Sequence, residues 1–276
     1  MSSLMPPTAR PLSRLRAMVL CGAVSLLLVA GCASTGNPRD PLEPLNRGIY
    51  KFNDGVDHLL IKPAAEFYRF AVPQFMRTGV SNFFSNLNDV IVALNNLLQG
   101  KLTMAASDVG RILLNSTVGL LGLYDAATEV GLERNNEDFG QTLGFWGIAD
   151  GPYLVLPLLG PSSARDAVGW FGDYYAWPPT YLRSEGKRNI LIAVRFVTAR
   201  ADLLEASRIL ETAALDPYEF VRDAYLQRRR NLVYDGKPPP DEEDFENGAK
   251  PKPKAAEPVP PVPVEPADQA PKDGKP

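Results

Sequence analysis

The sequence predicts an all-α domain. Three observations carry that reading. Apolar residues recur at spacings of three and four through most of residues 40–235. Proline, glycine and Asx residues interrupt the pattern at short intervals, which predicts many short helices. No series of alternating apolar and polar residues marks out strands. Short amphipathic helices joined by such breaks predict a curved assembly rather than a bundle of long rods.

The first helix is expected to start at Asp40-Pro41, with Asp as N-cap and Pro at the first helical position. Leu45, Ile49, Phe52, Val56 and Leu59 then lie on one stripe, with Asn46, Asn53, Asp54 and Asp57 off it. Lys62-Pro63 predicts a break, because the residue before proline avoids helical angles. A short helix over 64–71 ends at Val72-Pro73, and another starts near Gln74 with Met76, Val80, Phe83, Phe84 and Leu87 on its apolar face. Asn88-Asp89 reads as the cap of a separate helix over 90–98, closed by Gly100. Residues 101–117 form the next, with Gly119 and Gly122 at its exit.

Residues 123–151 hold a short helix, an acidic turn and a Gly-interrupted aromatic segment. The run from Tyr153 to Leu159, set between Gly-Pro pairs, is too short and proline-broken for a helix and is expected to be extended and buried. A helix over 162–176 is capped by Ser162 or Ser163 and stopped by Pro178-Pro179. Helices over about 187–199 and 202–212 follow, and Asp216-Pro217 starts the last one, running to about Val233. Its basic residues Arg228, Arg229 and Arg230 suit the negative end of the helix dipole. From Gly236 the composition changes: 12 of the last 41 residues are proline, so this tail cannot bury enough apolar surface to fold.

The chain opens on a different signal. Arg10, Arg14 and Arg16 precede an apolar run over 17–30, and Val29-Ala30-Gly31-Cys32 closes it. Basic residues, a greasy segment and small residues before a Cys form a lipoprotein signal, with residues 1–31 removed and the thiol of Cys32 acylated. The run is short for a bilayer span and holds Gly22 and Ser25. Several acyl chains at Cys32 give lasting attachment, since each buried methylene contributes about 0.8 kcal/mol. Ala33 and Ser34 follow, rather than the aspartate that retains lipoproteins in the inner membrane of Gram-negative cells. The expected location is therefore the inner leaflet of the outer membrane, with residues 32–39 as a lipidated tether and 236–276 as a tail around a 40–235 domain.

Composition narrows the chemistry. Net charge is −3, which argues against nucleic acid as a partner. Histidine occurs once, at His58, so a multi-histidine zinc site is out of reach and a Ser-His-Asp triad would need His58 itself. Cys21 leaves with the signal and Cys32 is consumed by lipid, so no thiol remains for a nucleophile, a metal or a disulfide. No enzyme activity, metal or cofactor is expected. His58 reads as a surface or capping histidine.

Asp108, Arg111 and Asn115 share one side of the 101–117 helix, opposite Leu102, Val109 and Leu113. They read either as a salt-bridged surface face or as the lining of a polar lumen, where Arg111 would suit a phosphate headgroup. Asn82, Asn86, Asn88, Asn95, Asn96 and Asn115 are unusually dense, and capping explains Asn88 well and the others less well. Aromatics including Tyr50, Phe67, Trp146, Trp170 and Trp177 cluster near the proline breaks, as expected of residues resting at headgroup level.

The chain resembles the MlaA/VacJ family of outer-membrane lipoproteins. The resemblance rests on DPLEPLNRGIYKFN from Asp40, SNFFSNLNDV from Ser81, LNNLLQGK from Leu94 and RILLNSTVGLLGLYD from Arg111. EDFGQTLGFWGIADGPYLVLPLLGPSSARD from Glu137 and DPYEFVRDAYLQRR from Asp216 extend it. It implies a helical ring seated in one leaflet, with an amphipathic channel that takes mislocalised phospholipid from the outer leaflet to a soluble periplasmic carrier. It also implies trimeric porins as partners. Within it, Asp108, Arg111 and Asn115 become candidate channel or headgroup contacts. Asn46, Arg47 and Asn53 become a candidate gating segment, and residues 144–161 a flexible wall. Two other readings stand beside it: a porin-binding scaffold that moves nothing, and a lipid hydrolase, which lacks a Gly-x-Ser-x-Gly elbow.

Overall fold

The computed structural model describes residues 40–239. The signal segment, Cys32, the tether up to residue 39 and the tail from residue 240 lie outside the described residues. Helix α1 covers Glu43–Val56, with Pro44 in its first turn. It starts later than Asp40-Pro41 predicts, because the Asp40 carboxylate is engaged across the fold by Asn46 and by the Tyr218 hydroxyl. A π-helical turn, Asp57–Ile61, leads directly into α2, Lys62–Ala71. The break expected at Lys62-Pro63 does not occur. The Lys62 N–H bonds the Asp57 carbonyl, five residues back, and this widened turn accommodates Pro63, which has no N–H to donate. Val72, by contrast, is extended, and the chain breaks at Val72-Pro73 as expected.

Helix α3 spans Gln74–Leu98 without interruption. Asn88 and Asp89 do not cap a second helix. Their side chains reach other elements instead, Asn88 to Arg195 and Asp89 to Arg111. Gly100, at φ +75°, turns the chain into α4, Leu102–Thr117. Asp125 caps α5, Ala126–Glu129, and Asp138 caps α6, Phe139–Phe145.

Strands β1, Tyr153–Leu156, and β2, Gly160–Ser163, form an antiparallel hairpin with Tyr153 opposite Ser163 and Leu156 opposite Gly160. The expected extended segment is there, as half of this hairpin. Tyr153 and Val155 are buried, whereas Leu158 and Leu159 at the tip are exposed. Ser163 caps α7, Ala164–Ala176, and a 3₁₀ turn follows at Pro178–Tyr181. Helix α8 runs from Glu185 to Ala213 as a single piece, where two helices were expected. Asp216 caps α9, Pro217–Val233, through the N–H groups of Tyr218 and Glu219.

These elements close a circuit. α1 packs on β1, β1 pairs with β2, and β2 packs on α9. From there contact passes to α6, α3, α8 and α2, and returns through the π turn to α1. α4 lies along α3, and α7 lies against α6. The α6–α7 approach requires Gly169: a Cβ there would stand 2.4 Å from the Gly140 nitrogen.

The fold is therefore helical and ring-like, with one small hairpin. Its apolar cores are small: Ala65, Ala201 and Leu204 form one, and Tyr153, Val155 and Tyr218 another. Much of the buried surface is polar instead, including Asn46, Asn95, Asn96, Asp108 and Arg111. α4 is inside-out relative to an ordinary surface helix. Leu102 and Leu113 are 66% and 60% exposed, while Asp108, Arg111 and Asn115 point inward and are buried. Exposed Phe67, Phe70, Phe75, Leu120 and Leu121 extend the outward apolar surface. An exposed apolar area this extensive marks a site of partner or membrane contact. No described helix is long and apolar enough to cross a membrane.

Candidate functional site

A cavity of about 840 Å³ opens between α1, the π turn, the hairpin tip, α8 and the start of α9. Its lining is mixed. Arg47, Lys51, Asp54, Asp57, Arg200 and Glu211 supply charge, and Leu158, Leu159, Phe196, Leu203 and Leu210 supply apolar surface. The long helix α8 contributes residues of both kinds. The Arg200 guanidinium donates to both Asp57 oxygens at 2.8–3.0 Å, which pins α8 to the π turn. His58 stands at the rim, Nε2 3.5 Å from Asp54 Oδ1. Ser207, in the same lining, donates to the Leu203 carbonyl and accepts from Arg200. Among the described residues no hydroxyl bonds His58, so no nucleophile–base pair is formed.

The three residues singled out at the start of the chain sit beside this cavity. Asn46 Nδ2 donates to Asp40 Oδ1 (2.8 Å) and to the Tyr153 carbonyl (3.0 Å), and its Oδ1 accepts from the Val155 N–H (2.9 Å). Asn53 does the same near the hairpin tip, donating to the Leu156 carbonyl (2.9 Å) and accepting from the Leu158 N–H (2.8 Å). The spacings match. Seven helical residues rise about 10.5 Å. The two bonded hairpin sites are three residues apart, about 10 Å of strand. Arg47 bonds Glu43 (2.7 Å), Asp216 (2.8 Å) and Glu219 (3.2 Å), and lies 4.4 Å over the Tyr218 ring. One helix thus holds both the hairpin and the start of α9.

Asp108, Arg111 and Asn115 come together, but not on that cavity. Arg111 is fully buried. It donates to both Asp125 oxygens (3.0 and 3.1 Å), to Thr128 Oγ1 (3.2 Å) and to the Leu132 carbonyl, with Asp89 3.5 Å from its Nε. Asn115 bridges Asp125 and the Ala127 N–H, and Asp108 accepts from Asn96 (2.7 Å) and Asn135 (2.8 Å). Burial raises the Asp89 and Asp108 carboxyls above their ordinary range. At Asp125 burial acts in the same sense, but hydrogen bonds from Thr128, Asn115 and Arg111 outweigh it and hold the carboxyl at about 2. This geometry favours a structural role over the lumen reading of the sequence. Arg111 has no exposed surface, its terminal nitrogens donate to protein acceptors and its Nε faces Asp89, so the trio joins α3, α4 and α5.

Sequence reasoning missed the α8 wall, Phe196, Arg200 and Leu203, and the Asp57 partner of Arg200. The one available signal was the Arg195, Arg200 pair interrupting an apolar helix. It also missed Asp173, which accepts from the Phe139 N–H (3.0 Å) and Asn95 (3.2 Å). Burial, together with the nearby Asp138 carboxylate, pushes Asp173 up to about 7. An unfolded aspartate titrates near 3.9. The folded chain therefore binds the extra proton between about pH 4 and 7, and stability falls as pH rises through that window. Asp173→Asn keeps the oxygen that accepts both bonds. Its melting temperature is expected to be flatter than the wild-type value from pH 5 to 7.5; parallel curves would refute the assignment.

Comparison with known proteins bears on this geometry. The family model described as MlaA lipoprotein matches residues 38–232. The intermembrane phospholipid transport system lipoprotein MlaA of Escherichia coli (strain K12) is 35% identical over 235 residues, covering 80% of this chain and 90% of that one. The protein of the same name from Haemophilus influenzae is 31% identical over 230 residues, covering 79% and 91%. A chain solved in work on the structural basis for maintenance of bacterial outer membrane lipid asymmetry superposes with a TM-score of 0.63. It is 35% identical and covers 70% of this chain and 98% of its own.

Proposed function

The chain belongs to the MlaA lipoprotein family, and from that premise we propose that it removes mislocalised phospholipids from the outer leaflet of the outer membrane. Cys32 anchors it to the inner leaflet by acylation. Phospholipid passes through the ring and is handed to a soluble periplasmic carrier, with trimeric porins as the membrane partners. Asn46, Arg47 and Asn53 set how far the hairpin tip stands from α8, and so how open the passage is.

The observation that carries this reading is the mixed charged and apolar lining of the large cavity. A phospholipid changing leaflets must take its charged headgroup past about 30 Å of hydrocarbon. Burying a bare charge in apolar surroundings is very costly. A passage lined by charged groups together with leucines and a phenylalanine receives head and chains at once, and removes most of that barrier without an energy source. The outward-facing leucines and phenylalanines of α2, α3 and α4 suit a ring resting in a leaflet.

The test uses Leu203→Glu. Leu203 belongs to the apolar part of the lining and is 56% exposed, so the fold tolerates the change, while a carboxylate now stands where acyl chains pass. Phospholipid co-purifying with the protein, and lipid gained by the soluble carrier, are expected to fall at least several-fold at an unchanged melting temperature. Full transfer by Leu203→Glu would sink the channel. A wild-type protein that retains no phospholipid and charges no carrier would instead favour a scaffold that only binds porins.

A further inference from the structure

A second cavity, of about 450 Å³, lies between α3 and α8 and is lined by polar side chains, among them Ser85, Asn88, Arg134, Asn135, Arg195 and Thr198. It shares one lining residue, Ala199, with the larger cavity. We propose that this second cavity is an anion site in which Arg195 and Thr198 bind a phosphate group, the phosphodiester of a phospholipid headgroup or a free phosphate.

Two observations point to a ligand. The first is Arg195. Its guanidinium is half-buried and lies 5.1 Å over the Trp177 ring, yet its one hydrogen bond, to Asn88 Oδ1, is stretched to 3.5 Å. No carboxylate among the described residues forms an ion pair with it. Burial lowers its pKa, against the field of Asp173. A desolvated cation with one weak bond is unfavourable unless an anion completes it. The planar guanidinium fork offers phosphate two parallel hydrogen bonds. The second observation is Thr198, one turn along the same helix. It is buried at 3% exposure, lines the cavity, and its Oγ1 has no partner. A buried hydroxyl left unpaired calls for a partner that completes it.

The acids in the same lining do not fill this role. Asp89 faces Arg111 (3.5 Å) and Arg134 (4.0 Å), and Arg134 also bonds Asp125 (3.0 Å). Asp202 accepts from Ser81 (3.0 Å) and stands seven residues from Arg195 on one helix, about 10.5 Å along its axis. Asp173 acts on Arg195 through its field and forms no ion pair with it, so the hydrogen-bonding edge of Arg195 is left for an added anion. A headgroup held there would sit next to Ala199, with its chains directed to the apolar residues of the larger cavity. The lipid form of the proposal rests on the transport reading; the anion site itself does not.

The experiment measures binding to the full-length lipidated protein in detergent by calorimetry. The probes are dihexanoylphosphatidylethanolamine and inorganic phosphate, with native mass spectrometry to count retained phospholipid. Arg195→Gln is expected to weaken the bound probe by about tenfold, as loss of a charge-assisted hydrogen bond does, with Arg195→Lys in between. Thr198→Val, which removes only the unpaired hydroxyl, is expected to weaken it by about threefold at an equal or higher melting temperature. It decides the matter if Arg195→Gln fails to fold.

Binding of the short-chain lipid without competition from millimolar phosphate assigns the site to headgroups. Equal competition by phosphate assigns it to the free ion. Wild-type affinity in both Arg195→Gln and Thr198→Val overturns the site. Should the wild type retain phospholipid while those variants bind normally, only this site falls. Should it retain none yet bind phosphate through Arg195, the transport reading falls and the site stands.

Discussion

Arg111→Met is expected to lower stability by about 3–5 kcal/mol, the loss typical of a buried ion pair deprived of one partner. Arg111 has no exposed surface, and its side chain faces two carboxylates on different elements, Asp125 and Asp89. Methionine fills similar volume but leaves Asp89 with only the Arg134 contact at 4.0 Å. It also leaves the Leu132 carbonyl and Thr128 Oγ1 short of a donor. For a domain of this size the expected fall in melting temperature is on the order of 10 °C. Lysine is not expected to rescue it, because one ammonium cannot reproduce the fork that meets both Asp125 oxygens. Any loss of detergent resistance in cells should track the amount of protein. A variant at wild-type abundance and melting temperature would refute the joint. One with normal abundance but no lipid transfer would restore Arg111 to the passage.

The same residue shows what was legible in the sequence. That Asp108, Arg111 and Asn115 share a helix face follows from spacing, and α4 was placed to within a residue because Gly100 and Gly119 mark its ends. Which way the face points does not follow from spacing. Periodicity separates two sides of a helix, and the default assignment of the apolar side to the core fails in α4, where Leu102 and Leu113 are exposed and Asp108, Arg111 and Asn115 are buried. Caps at Ser163 and Asp216 were readable because their side chains bond the N–H groups just ahead. Asn88-Asp89 looked the same in one dimension, yet its side chains are engaged by Arg195 and Arg111 over long sequence separations. Lys62-Pro63 predicts a stop, and the π turn that accommodates Pro63 has no local signature in the sequence. The cavity was invisible because it depends on α1 meeting residues about a hundred positions away.

Asn46→Ala is expected to release the hairpin. The change strands the Val155 N–H and removes a donor from both the Tyr153 carbonyl and Asp40, all in a buried setting. Unsatisfied buried groups of this kind cost about 1–3 kcal/mol each, so a loss of about 3 kcal/mol is expected. Asn53→Ala acts on the other end of the same contact, where the Leu158 N–H can turn to water. Its stability loss should stay near 1 kcal/mol. The two variants therefore separate folding from gating. Both free the tip residues Leu158 and Leu159, which line the same cavity as Leu203 and Leu210. If α1 holds the passage by gripping the hairpin, faster hydrogen exchange is expected at Val155 in the first variant and at Leu158 in both. Lipid transfer should change by a similar factor in each despite their unequal stabilities. Transfer that instead scales with melting temperature would mean that the asparagines only hold the fold together, and that the width of the passage is set on the α8 side, where the Asp57–Arg200 fork is the remaining fixed point.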